Sequence, residues 1–413
     1  MTPAPLSRGR AWLVAVFATL AMSVSYVDRQ VMAAIAASVR KALSMDAAQY
    51  GLLAAAFSMA YLVGAPLAGM LVDKVGARRG LVAAIVTWSV VSAVHALVPT
   101  FAALFVLRIV LGLAESPSFP AAAQAVKRAL PEGDRSAAFG LLFTGSSLGA
   151  AIAAPLAISL DVAFGWRTAF LIASAVGMVW LPAWLFVTAP KDLRAVLATA
   201  GEAPVAKPRG LLSDPAVHRA IILVLASAPA LMFMYIWMPQ YFELGRGVPK
   251  PMLPRYLWLP PLMTDVGMVG FGIAASRMER RALPGHRRSH VDLVLAAAAM
   301  EAALVLVPHV EGTWPAVLLV GLSGAGGGGL YTLLTADMMA RIDPARVSAA
   351  GGLTAAAQSL VYVALNPLVG RWIDFSHSYD GSMVMLGAVA IPGAIAWSAW
   401  SPRRETLLSL RAK

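Results

Sequence analysis

The chain has 413 residues, of which 59% are hydrophobic and only 13% charged, with a mean hydropathy of +0.72. Soluble cores stop growing at about 250–300 residues, so this composition excludes a water-soluble globular protein and leaves the bilayer as the solvent. A net charge of +12 would point to nucleic acid in a soluble chain, but here the basic residues lie between apolar stretches and read as topology signals instead. The absence of cysteine excludes disulfides and thiolate metal sites.

A spanning helix takes about 20 apolar residues. On that length the chain divides into twelve expected spans: 11–36, 50–72, 80–99, 101–126, 136–160, 168–188, 218–242, 256–276, 290–310, 313–338, 347–371 and 380–401. The first follows a short basic leader with no small-residue cleavage site, so it is expected to be retained. The segment 189–217 is polar and proline-bearing, without a spanning pattern. The expected fold is therefore an all-α membrane protein: a six-helix bundle over 1–188, a cytoplasmic linker over 189–217 and a second six-helix bundle over 218–413. If both termini are cytoplasmic, 24 of the 33 Lys and Arg fall on the cytoplasmic side and 7 outside, as the positive-inside rule requires. The clusters Lys74/Arg78/Arg79, Lys127/Arg128/Arg135 and Arg277/Arg280/Arg281/Arg287/Arg288 all lie on that side.

Charges inside the spans carry the functional signal. The first span contains SVSYVDRQVMAAIA, with Asp28 and Arg29 adjacent, and the fourth contains RIVLGLAE, with Arg108 and Glu115. Each such charge costs about 2.5–3.5 kcal/mol at the bilayer centre, so these groups are expected to face a cavity and to pair, acids with arginines. Arg108 and Glu115, seven residues apart, share one helix face with about 10.5 Å of rise between them. With helix four entering from outside and helix one from inside, Asp28, Arg29 and Arg108 are expected at similar depth, and Glu115 about two turns nearer the cytoplasm. Asp28 and Arg29 point about 100° apart, so they cannot both face one partner. Two further acids lie in the second half: Asp265 near the middle of span eight, a candidate polar anchor there, and Glu301 in span nine, with no assigned role. Glu301 is expected to be protonated, paired with a neighbour, or a third coupling site.

Other patterns carry less. GSSLG (Gly145–Gly149) matches a hydrolase elbow but lies within a span, where small residues serve close helix packing. GAGGGG has no βαβ unit around it. The six histidines fall at loops or helix ends, so no metal site is expected.

The loop GMLVDKVGARRG (Gly69–Gly80) resembles that between helices two and three of the major facilitator superfamily. The resemblance implies that Gly69 lets helices approach, that Asp73 caps a neighbouring helix, and that Gly76, Arg78 and Arg79 complete a conformational gate. YVDR, RIVLGLAE, WMPQYFELGRG and WLPPLMTDVG (with Asp265) resemble the anion:cation symporters of that superfamily, especially hexuronate and galactonate transporters. The implied activity is proton-coupled import of an organic anion by alternating access, by a monomeric inner-membrane protein with no cofactor but the coupling proton. Asp28 and Glu115 would carry protons, and Arg29 with Arg108 would receive the substrate carboxylate. The polar lining departs from the pattern at Ala65, at Phe143 and in Gly324–Leu334. Tyr26, Tyr61, Tyr331, Tyr362 and Gln358 are left as candidate pocket residues, and a less hydroxylated monocarboxylate becomes an alternative to a sugar acid. A proton/drug antiporter and a non-transporting sensor on the same scaffold are the competing readings; no catalytic constellation supports an enzyme.

Overall fold

The computed structural model describes residues 6–198, 210–211, 213–280, 290–342 and 346–400. All twelve expected spans are helices. The first six run Arg8–Ala34, Ala47–Val75, Ala77–Leu97, Phe101–Ala129, Gly133–Phe164 and Trp166–Val187. The second six run Pro215–Gly245, Lys250–Met278, Val291–His309, Thr313–Arg341, Ala349–Ser376 and Asp380–Ala399. Among the described residues there is no strand. Arg281, His286, Arg287 and Arg288, and most of the expected linker, lie outside the described residues. The described part of that linker includes a short helix, Lys191–Ala198, which buries Leu193 and Leu197.

Local chemistry sets the helix ends. Helix two opens on a capping box: Asp46 accepts from the Gln49 backbone at 2.7 Å, and the Gln49 side chain accepts from the Asp46 backbone at 3.2 Å. Helix four is capped by Thr100, which accepts from the Ala103 backbone. Gly76, at φ 85°, makes the turn between helices two and three, a backbone angle that favours glycine. A side chain there would also run into the backbone of Leu197 and Ala198. Helix one breaks at Ile35 and resumes over Ala36–Ala42, longer than hydropathy implied because the added segment, AASVRKA, is half polar.

Compactness divides the chain into two units. One joins the described part of residues 1–203 with Tyr235–Leu262 and Tyr362–Tyr379; the other takes the described parts of residues 204–234, 263–361 and 380–413. The first cut thus falls within the expected linker 189–217, while Tyr235–Leu262 and Tyr362–Tyr379 of the second six helices group with the first unit. In the first unit, helices one and five pack backbone against backbone. A Cβ on Gly145 would collide with the Thr19 carbonyl and one on Gly149 with the Ser23 carbonyl, so GSSLG is a packing stripe.

The same unit holds a seal at the helix ends remote from the start of helix one. Asp374 of helix eleven accepts from the Ala47 and Ala48 backbone at 2.9 and 2.7 Å, placing a carboxylate on the positive end of helix two. Arg40 donates to Gln240 at 2.8 Å, and the Tyr50 hydroxyl to the Ile236 carbonyl at 2.9 Å. Lys250 bonds both Ser38 and Asp161. Trp237 stands edge-on to Tyr50 and donates to the fully buried Asn366 at 2.9 Å. In the second unit, Arg219 on helix seven donates to Asp337 at 3.2 Å and to the carbonyls of Trp397 and Trp400 at the end of helix twelve.

Overpacking a filled contact costs about 1–3 kcal/mol. Gly149→Leu is expected to lose at least that much in thermal unfolding of the detergent-solubilised protein. Gly140→Leu, on the same helix with nothing within 4 Å of its Cβ position, is expected to be neutral. Equal melting temperatures for the two variants would contradict the helix-one/helix-five contact.

Candidate functional site

Helices one, two and four bring most of the expected site together. Arg29 donates from Nε (3.2 Å) and Nη2 (3.1 Å) to one oxygen of Glu115. The rings of Tyr26, Phe57 and Tyr61 surround its guanidinium, with centroids 4.8, 5.1 and 4.6 Å from Cζ. The aromatic faces replace part of the hydration that the cation loses. Glu115 is fully buried, and its second oxygen, Oε1, has no hydrogen-bond partner.

Helix four is adapted to this pair. Pro117 lacks the N–H that would bond the Leu113 carbonyl, and the Ser116 hydroxyl donates to that carbonyl instead, at 2.8 Å. The helix is thus interrupted just beyond Glu115, between Phe101–Glu115 and Ser118–Ala129. Gly112 and Gly64 allow helices two and four to meet: a Cβ on Gly112 would press on the Phe57 carbonyl, and one on Gly64 on the Ser116 side chain.

Three expectations are corrected here. Arg29 lies level with Glu115 rather than with Arg108, because helix one continues to Ala42. Measured from their far ends, Arg29 and Glu115 are both about 20 Å down their helices at 1.5 Å per residue. Asp28 pairs with no arginine: it faces helix three, where it accepts from Trp88 Nε1 at 3.1 Å and Ser92 Oγ at 2.9 Å, and is 1% exposed. The angular offset between neighbouring residues turns Asp28 inward while Arg29 turns to helix four. Gly69 does not serve helix approach, since nothing lies within 4 Å of its Cβ position; Gly64 and Gly112 do.

Arg108 is 3% exposed, and its Nε and Nη2 have no hydrogen-bond partner. It lies within electrostatic reach of Tyr50, Glu115 and Asp28, and of the buried His95 at the end of helix three. A buried guanidinium lacking acceptors is costly unless paired.

In the gate loop, Asp73 accepts from the Gln124 side chain at 2.7 Å rather than capping a helix, and Arg78 donates to Thr188 at 2.9 Å. Arg79 is exposed. Tyr362 is half-buried in the first unit, and Tyr331, Gln358 and Asp265 are half-buried in the second. Trp88, Ser92, Phe57 and Tyr50 were not anticipated. The only sequence signal for the first two is their four-residue spacing, which sets two donors on one face of helix three.

Hydrogen bonds between membrane helices average about 0.6 kcal/mol, with a maximum near 1.7. Ser92→Ala is expected to cost that much in thermal unfolding, and almost nothing once Asp28→Leu has removed the acceptor. Equal costs in the two backgrounds would show that Ser92 does not hold Asp28.

The profile of the Major Facilitator Superfamily matches residues 11–365. A hexuronate transporter of Escherichia coli is 26% identical, with 93% of this chain and 94% of that one aligned. A D-galactonate transporter of Escherichia coli is 24% identical over 94% and 95% of the two chains. The fold matches the crystal structure of a bacterial homolog to the human lysosomal transporter Spinster, inward-facing and occupied. The TM-score there is 0.78 at 15% identity, covering 96% of this chain and 97% of that one. With twelve spanning helices in place, the chain belongs to the Major Facilitator Superfamily and is a multi-pass membrane transporter, not an enzyme.

Proposed function

We propose that the protein is a proton-coupled symporter that imports an organic anion across the inner membrane, and that Arg108 receives the substrate carboxylate. The observation that carries this reading is the buried Arg108 guanidinium, with two nitrogens lacking acceptors, on the same helix as Glu115 and two turns from it. A carboxylate fits such a group by forked hydrogen bonds. The similarity to hexuronate and D-galactonate transporters supports an acid as the substrate.

The coupling follows from the occupied state of Arg29. Its Nε and Nη2 both donate to one oxygen of Glu115, and the other oxygen is buried without a hydrogen-bond partner. A proton taken up on Glu115 neutralises it, weakens its hold on Arg29 and frees that fork for the incoming anion. Departure of the anion restores the pair and expels the proton. Asp28, set behind helix one against Trp88 and Ser92, is the second proton-coupling acid. The tyrosines around Arg29 present two hydroxyl groups, and the positions of Ala65 and Phe143 offer none, so a sparsely hydroxylated carboxylate competes with a sugar acid. Cationic drugs are disfavoured by the two guanidinium groups.

Uptake into proteoliposomes under an imposed pH gradient tests the reading, with glucuronate and galactonate beside sparsely hydroxylated carboxylates. Losing a charge-assisted hydrogen bond costs about 1.5–3 kcal/mol, so Arg108→Gln is expected to raise the half-saturating concentration roughly 10- to 100-fold. Asp28→Asn and Glu115→Gln are each expected to abolish the response to the gradient in folded protein. Full pH-driven accumulation by both acid variants, or unchanged affinity in Arg108→Gln, removes the mechanism.

A further inference from the structure

Helix nine changes character at one residue. It is α-helical over Val291–Glu301 and tightens to a 3₁₀ helix over Ala302–His309. Glu301 stands at the junction, 0% exposed, and neither carboxyl oxygen has a hydrogen-bond partner. Ser323 of helix ten donates to its backbone carbonyl at 2.7 Å, which ties the seam between the two helices.

The glycine run of helix ten is shaped around this side chain. A Cβ on Gly326 would overlap the backbone of Ala297 and Glu301, so the two helices touch there backbone to backbone. A Cβ on Gly327 would lie 2.9 Å from Glu301 Oε1 and 3.0 Å from the Leu231 side chain of helix seven. The carboxyl group thus occupies the window that Gly327 leaves open, with Leu231 beside it. Among the described residues, no charged side chain from any helix packed against it acts on Glu301, and it joins no ion pair. An ionised carboxylate held this way would carry an effective penalty of several kcal/mol. The neutral acid avoids most of that cost.

We propose that Glu301 is a proton-binding site of the second bundle, filled in this conformation and separate from the carboxylates of helices one and four. The backbone contact at Gly326 closes helix ten on helix nine beside the carboxyl, so the proton exchanges only when the two helices part. The site does not depend on which anion is carried. It also gives the glycine run a role that nucleotide binding does not supply.

Infrared spectroscopy of the purified full-length protein at neutral pH tests this, in an Asp28→Asn, Glu115→Gln background that removes the two other acids. The expected result is a carboxylic-acid carbonyl band that disappears on adding Glu301→Gln, or Glu301→Met should the glutamine variant not fold. No such band, or a band that survives both changes, overturns the proposal. Thermal unfolding gives a second readout: Gly327→Ala should lower the melting temperature, and Glu301→Ala should recover most of the loss by vacating the window. An equal loss in both backgrounds would place the carboxyl elsewhere and likewise overturn the site.

Discussion

The ion pair between Arg29 and Glu115 is the constraint on which the rest of the first unit depends. It joins helix one to helix four through two donors and one acceptor oxygen, and three aromatic rings flank the cation. Breaking a buried pair from one side leaves an uncompensated charge, which costs about 3–5 kcal/mol. Either partner is therefore released at low cost only if something replaces the other: a proton for the arginine, or an anion for the carboxylate. On the proposed reading, that exchange is the bistable element a coupled transporter requires. The glycines at 64 and 112 serve the pair indirectly, since they bring helices two and four close enough for Phe57 and Tyr61 to meet Arg29.

Asp28 shows how the acid next to Arg29 is held apart from that pair. Turned to helix three, it is satisfied by an indole N–H and a hydroxyl rather than by a cation. Two neutral donors hold a carboxylate less firmly than a guanidinium fork does. Asp28 and Glu115 thus sit in different environments although the same cation, Arg108, lies within electrostatic reach of both. Arg108 links this level to the seal, because Tyr50, which also feels its charge, bonds the Ile236 carbonyl and packs on Trp237.

Much of this was legible in the sequence, and the failures have physical causes. Apolar length alone located all twelve helices, since backbone groups in lipid must be satisfied within the segment. The four charges at 28, 29, 108 and 115 stood out for the same reason. Their pairing did not, because depth depends on where a helix ends, and the polar residues of Ala36–Ala42 fall below a hydropathy criterion while remaining helical. Trp88 and Ser92 escaped notice because their four-residue spacing is a weak signal on its own, and their partner lies 60 or more residues away. The motif glycine at 69 misled because a glycine in a pattern shows where a backbone is free to approach, not whether one does. Interlocks such as Asp374 on helix two depend on which distant ends meet, and no local spacing encodes that.

The two bundles also handle buried acids differently, and the difference follows from what each helix sets opposite the carboxyl. Helix three meets Asp28 with side chains that donate, so the acid is held by hydrogen bonds. Helix ten meets Glu301 with glycines, which supply space but no side-chain donor, and spends its one nearby hydroxyl on the backbone carbonyl. A carboxyl given donors tolerates charge, whereas a carboxyl given only volume does not. The run that looks like a phosphate-binding loop in the sequence is, in three dimensions, an absence of side chains cut to fit one acid on the next helix. In the order of the six-helix repeat, helices nine and ten are the counterparts of helices three and four, so the second half carries its buried acid on the counterpart of the helix that supplies the donors in the first.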